Sequence, residues 1–177
     1  MGASLSYRTI FWFWLPLAGT WLMMAVEGPY LAAIIARLPD PTVNLAAFGI
    51  AFAVAIIIEA PVVMLMGAST KLVEDRQSYL ALRRFAYRLS ALLTLVHLIV
   101  LIPPVFDQVA RNVLALPEDV AHLTYGGLVL LLPWSAAIGY RRFRQGLLIR
   151  YNLTNRVAHG TFLRLVTMSI TAFAAFR

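Results

Sequence analysis

LAAFGIAFAVAIIIEAPVVMLMGA, residues Leu45 to Ala68, is the stretch on which the reading of the chain turns. About 24 almost unbroken apolar residues at ~1.5 Å per residue cross the hydrocarbon core of a bilayer as one helix. One carboxylate, Glu59, stands inside it, with Pro61 close behind. At that depth a carboxylate costs a few kcal/mol unless it faces protein or water. Ala47, Ala51 and Ala55 recur every four residues, and Glu59 is the next step of the same stripe. Small residues on one face let a second helix backbone approach closely. The pattern predicts that Glu59 points into a helix–helix seam or a cavity beside one.

Composition agrees with a membrane protein: 61% of the residues are hydrophobic, only 13% are charged, and mean hydropathy is +0.78. Soluble domains run nearer about 45–50% apolar and about 25% charged. The sequence holds no cysteine, which excludes disulfides and thiolate metal sites. A net charge of +7 suggests nucleic acid at first sight. The placement of the charges explains it better as membrane topology, so no nucleic-acid partner is expected.

Read in order, Met1–Thr9 is a short, weakly basic leader, and the first apolar span covers 10–36. That span is longer than the ~7–15-residue core of a signal peptide. Glu27-Gly28-Pro29 interrupts it. Pro29 cannot donate to the carbonyl of Ala25, nor Pro61 to that of Ile57, so both helices are expected to kink. A proline-rich turn leads to the second span, 45–68. Ser69–Arg88 is polar and basic and reads in part as an amphipathic helix at the interface. The third span is 85–102, closed by Pro103-Pro104. A connector, Asp107–His122, precedes the fourth span at 123–140, whose helix projects past the bilayer through a run of arginines. Tyr151–Arg156 links it to the fifth, 157–176. The expected fold is all-α: a single polytopic transmembrane helical bundle of about five spans over residues 1–177.

Orientation follows from the basic residues. The leader, the Ser69–Arg88 link and the Arg141–Arg156 segment lie on one side and leave only Arg37 and Arg111 in the loops of the other. Lysine and arginine favour cytoplasmic loops, so the N-terminus is expected inside and the protein in the plasma (inner) membrane. The Asn152-Leu153-Thr154 sequon is then a chance match on the cytoplasmic side.

Glu27 and Glu59 each carry two readings. Either is a proton- or cation-responsive carboxylate in a transport path, or a structural acid bonded to a neighbouring helix. Along their spans they lie ~25 Å and ~13 Å from the cytoplasmic end at 1.5 Å rise, so they are not expected to form a catalytic pair. His97, in mid-span, reads as a hydrogen-bonded core histidine or a proton relay. Arg164, about two turns inside the fifth span, reaches an anionic substrate or snorkels to the interface. No two histidines have metal-ligand spacing, and no metal is expected. Phe11-Trp12-Phe13-Trp14 reads as an interfacial aromatic belt. Neither G-x-S-x-G, H-E-x-x-H nor a Walker loop occurs, so no enzyme activity is expected.

Three places carry a family resemblance: Leu15-Pro16-Leu17 with Glu27 later in the same helix; Leu45-Ala46-Ala47-Phe48-Gly49-Ile50-Ala51-Phe52; and Leu132-Pro133 leading to Arg144-Gln145-Gly146-Leu147-Leu148. With them the chain resembles the N-terminal lobe of the multidrug and toxin extrusion (MATE)-like exporters, a superfamily that includes lipid-linked oligosaccharide flippases. The spacing from Glu27 to the Leu45 motif is closest to the progressive-ankylosis branch, whose members export small anions. Members have about twelve helices in two lobes around a central cavity, so five spans resemble an incomplete N-terminal lobe.

The resemblance implies a secondary exporter or antiporter. It would move a small, anionic or lipid-linked substrate by alternating access, with H⁺ or Na⁺ as coupling ion and no organic cofactor. Glu27 and Glu59 would be the coupling acids, and His97, Arg144 and Arg164 candidates for the cavity or an interface. A second lobe or a second copy would complete the cavity. The reading from a different class is a non-transporting membrane scaffold or assembly subunit, whose acids only fasten helices together.

Overall fold

Long apolar runs punctuated by proline give a chain of helices, since a helix satisfies its own N–H and C=O groups where water is absent. A computed structural model describes residues 6–176; the first five residues of the leader, and Arg177, lie outside the described residues. The α-helices in chain order are α1 (Tyr7–Ile35), α2 (Pro41–Val63), α3 (Leu65–Leu72), α4 (Arg76–Val100), α5 (Pro103–Asp107), α6 (Glu118–Leu130), α7 (Trp134–Arg150) and α8 (Thr154–Phe176). A π-helical stretch, Gln108–Val113, continues α5, and no strand occurs among the described residues.

Three stretches are long and apolar enough to cross a membrane: Tyr7–Ile35, Pro41–Leu72 and Thr154–Ala174. Arg76–Val100 with Pro103–Val113 is bent by 76°, and Glu118–Leu130 with Trp134–Arg150 by 46°. Counting each bent pair as one span brings the number to five.

Prolines place most of the breaks. Pro41 opens α2, Pro103 and Pro104 open α5, and Pro133 separates α6 from α7. Each lacks the N–H that helix continuation would need. Pro61 lies just before α2 ends at Val63, whereas α1 runs on through both Pro16 and Pro29 to Ile35. The basic segment after Ser69 is divided: Ser69–Leu72 closes α3, and Arg76–Arg88 forms the first half of α4, which runs unbroken into the apolar Leu89–Val100. A capping box fixes that start: Ser78 N–H donates to Asp75 Oδ1 at 2.7 Å, and Asp75 N–H donates to Ser78 Oγ at 3.0 Å.

Two compact units make up the described chain. In the first, α1 packs against α8. The turn into α8 is a Schellman motif: Asn152 adopts φ 57°, with Leu153 N–H donating to Leu148 O at 2.8 Å and Asn152 N–H to Ile149 O at 3.0 Å. The second unit, Ala36–Leu147, is a bundle in which α2 packs on α4 and α6. One part of its core joins Val62, Leu65, Ala86, Leu93, Ile138 and Phe143. Another joins Ala51, Leu101, Phe106, Ala110 and Leu128.

Candidate functional site

Glu27 stands eight residues before the end of α1, about 12 Å along the axis, and Arg164 about 15 Å from the start of α8. The two side chains meet fork to fork. Arg164 Nη1 donates to Glu27 Oε1 at 2.7 Å, and Nη2 donates to Oε2. Planar guanidinium and carboxylate match in this way with both charge and direction satisfied. Arg164 therefore crosses to α1 and does not snorkel along α8. The pair is not sealed: the side chains keep 27% (Arg164) and 16% (Glu27) of their surface open. Beside it runs a shallow groove lined by Gly160, Leu163, Arg164, Thr167 and Met168. A Cβ placed on Gly28 or Gly160 would meet nothing within 4 Å. Arg164 Nε, in contrast, is buried and has no hydrogen-bond partner.

In the second unit, the alanine stripe lies in a seam. Ala47, Ala51 and Ala55 are buried, and Glu59 is 7% exposed. The partner on this face is α6 followed by α7. A Cβ on Gly127 would come within 3.1 Å of that of Ala51. Further along, Arg142 Nη1 approaches Met66 Sδ at 3.9 Å, and Thr70 Oγ1 donates to Gly146 O at 3.1 Å. Each of the latter two pairs is separated by 76 residues, as are Ala51 and Gly127. The two chain segments thus run parallel in constant register through both of their breaks. That register sets Glu59 level with Ser135, which is also buried.

The groups that bear on the Glu59 carboxylate are the Trp134 indole and the positive charges of Arg141 and Arg142. The indole lies beside the carboxylate outside hydrogen-bonding geometry, and Glu59 Oε2, Trp134 Nε1 and Ser135 Oγ are buried without hydrogen-bond partners. Two glycines let α7 close on its neighbours. A Cβ on Gly139 would collide with the Ser90 hydroxyl, and one on Gly146 with the Met66 carbonyl and, at 2.6 Å, with Ser69 Cβ.

His97 is fully buried, its Nε2 3.0 Å from Leu128 O, while Nδ1 has no partner. It ties α4 to α6, as does the Tyr125 hydroxyl, which donates to Leu101 O at 3.2 Å. Arg144 is exposed, and its guanidinium lies 5.3 Å from the centre of the Tyr140 ring. Among the described residues no group of three His, Cys, Asp or Glu could hold a metal ion. The sequence singled out Glu27 and Arg164 separately and did not pair them; no local pattern links positions 137 apart. That Trp134 and Ser135 come level with Glu59 also went unread, because only the register of the two segments brings them together.

The structure describes an all-helical protein, with three to five helices able to cross a membrane and a guanidinium–carboxylate pair between two of them. Set against known proteins, the chain matches no family model, no curated protein and no solved structure.

Proposed function

We propose that this chain is one lobe of a secondary exporter in the plasma (inner) membrane, moving a small anionic or lipid-linked substrate by alternating access. The observation that carries the reading is the Glu27–Arg164 pair. Two charges facing each other across membrane-crossing helices are costly to place there, and ionisable groups at such depth are functional by default. A purely structural tie between helices needs no charge, since small-residue seams such as Ala47–Ala55 hold helices closely without one. A partly open ion pair can instead be made and broken. Protonation of Glu27 removes its attraction for Arg164 and so shifts the balance between two helix arrangements. The resemblance to MATE-like exporters at Leu15–Leu17, Leu45–Phe52 and Arg144–Leu148 points the same way, and implies a second lobe or second copy to complete the cavity.

The test is efflux from proteoliposomes driven by a proton or Na⁺ gradient, with the second lobe or copy present. Gradient-dependent flux is expected for the native chain. Glu27→Gln should abolish it with expression unchanged. Glu59→Gln should lower the yield of folded protein while leaving flux per folded molecule intact. Unimpaired flux in Glu27→Gln removes the coupling role. The scaffold reading is favoured by the Glu59 seam, where the acid is enclosed by packing. It requires a folded protein that shows no gradient-dependent flux with any second lobe.

A further inference from the structure

Arg164 has more to offer than Glu27 uses. A guanidinium carries five N–H donors, of which Glu27 takes one from each Nη. The Nε–H is buried and unpartnered, and the groove along Gly160, Leu163, Thr167 and Met168 opens beside the same side chain. A buried donor without a partner is costly, and a rearrangement of the side chain that brings it an acceptor recovers that cost. The acceptor best matched to a guanidinium is a second oxyanion, carboxylate-like or phosphate-like, bound through two oxygens.

We propose that Arg164 is an oxyanion-binding site whose occupant competes with the Glu27 carboxylate, so that an anion and a proton bind together. The exchange balances: ionised Glu27 paired with Arg164, plus one proton from water and one oxyanion, gives neutral Glu27 and the oxyanion on Arg164. For a monoanion the net charge of the site is unchanged, so an anion enters the membrane without leaving an uncompensated charge. Few other groups intervene. α1 packs against α8; besides Glu27, its titratable residues are Tyr7, Arg8 and Tyr30. On α8 the others are Arg156 and His159, both exposed and nearer the N-terminal end of the helix than Arg164. No second carboxylate in either helix can take Glu27's place.

This rests on the exporter reading and deepens it by fixing the sense of coupling, an anion and a proton carried together, but binding, not transport, is what tests it. An oxyanion can come from solution or from a lipid headgroup, so two arms are needed. In neutral-lipid nanodiscs, sulfate serves as probe because it does not titrate near neutral pH. Calorimetry in two buffers of different ionisation enthalpy then counts the protons. Proton uptake should accompany sulfate binding. In the other arm, moving the protein from phosphatidylcholine to phosphatidylglycerol nanodiscs should cause the same uptake if a headgroup is the occupant.

Glu27→Gln cannot compete as an anion, so it should bind sulfate about tenfold or more tightly, with no proton uptake. Arg164→Gln should not bind it. Binding without proton uptake in the native chain overturns the proposal, as does undiminished binding in Arg164→Gln. So does the absence of both sulfate and headgroup effects in the native chain and in Glu27→Gln. Proton-linked binding without any flux leaves this site standing and removes the exporter reading; flux that is indifferent to Arg164→Gln does the reverse.

Discussion

Arg164 on α8 grips Glu27 on α1 through both of its Nη atoms, across 137 residues of sequence. The contact brings together the two ionisable side chains that stand deepest in their apolar helices. Its energy is best judged by what is left when one partner goes. A lone carboxylate or lone guanidinium beside hydrocarbon keeps its desolvation cost and loses its compensation.

The two single substitutions should therefore cost more in sum than the double one. Arg164→Gln is expected to destabilise the folded protein by about 1–3 kcal/mol, below the range for fully buried pairs because this one is partly open. Glu27→Gln retains a hydrogen-bond acceptor for Arg164 and should cost less. The double variant should cost less than the sum of the two, giving a coupling energy clearly different from zero. Equilibrium unfolding in detergent, run as a double-mutant cycle, supplies the numbers. Additive effects would mean that the two groups do not stabilise each other.

Gly146 and Gly126 offer a matched comparison in the second unit. Where Gly146 faces the Met66 carbonyl and Ser69 Cβ, an added methyl must push backbone aside; at Gly126 it would meet nothing within 4 Å. Gly146→Ala should cost about 1–3 kcal/mol, the usual range for overpacking. Gly126→Ala, within α6, should be neutral or gain a few tenths of a kcal/mol from helix propensity. Thermal unfolding of both variants in the same detergent decides. Equal midpoints would contradict the close approach of α7 to the α2–α3 segment.

How far the sequence carried depended on the distance over which a signal acts. Apolar length and prolines are local, and they gave the helices and most of their ends. The Ala47–Ala51–Ala55–Glu59 stripe is local too, and its burial follows from periodicity alone. The start of α4 was also local and was missed: Asp75 and Ser78 have the spacing of a capping box, which marks Arg76 as the first helical residue. What no local pattern encodes is which helices become neighbours. The partner of Glu27, the level of Ser135 beside Glu59, and the division into two units all depend on that choice.

Asp75 gives a prediction with a definite pH sense. The Ser78 backbone N–H and hydroxyl donate to its carboxylate and hold its pKa below the ordinary aspartate value. A group whose pKa is lowered by folding adds stability above its unfolded pKa and loses it as pH falls through the folded one. Asp75→Ala should thus lower the unfolding midpoint at neutral pH, and the gap to the native protein should shrink steadily on acidification. Asp75→Asn, still able to cap, should lie between them. Midpoints measured from neutral to acid pH provide the check. A gap that is constant with pH would mean that the charge of Asp75 contributes nothing to the cap.

The last prediction is topological. If the basic segments are retained in the cytoplasm, Arg76–Arg88 at the start of α4 and Arg141–Arg156 around the α7–α8 turn lie on the same side as the leader. The turn before α2 is then on the other side. The helix order agrees, because the parallel register of α2–α3 with α6–α7 brings the ends of both segments, at Thr70 and Gly146, to one level. Both of those ends adjoin basic stretches. The native sequence has no cysteine, so single cysteines can be introduced without background. Gln77 and Asn155 are exposed and suitable, whereas Ser78 is needed for the cap. In intact cells, cysteines at Gln77 and Asn155 should resist an impermeant thiol reagent, and one at Thr42, exposed at the start of α2, should react. Permeabilised cells should label at all three. Labelling of Gln77 and Asn155, but not Thr42, in intact cells would invert the orientation. Labelling of only one of the first two would break the assignment of both basic segments to one side.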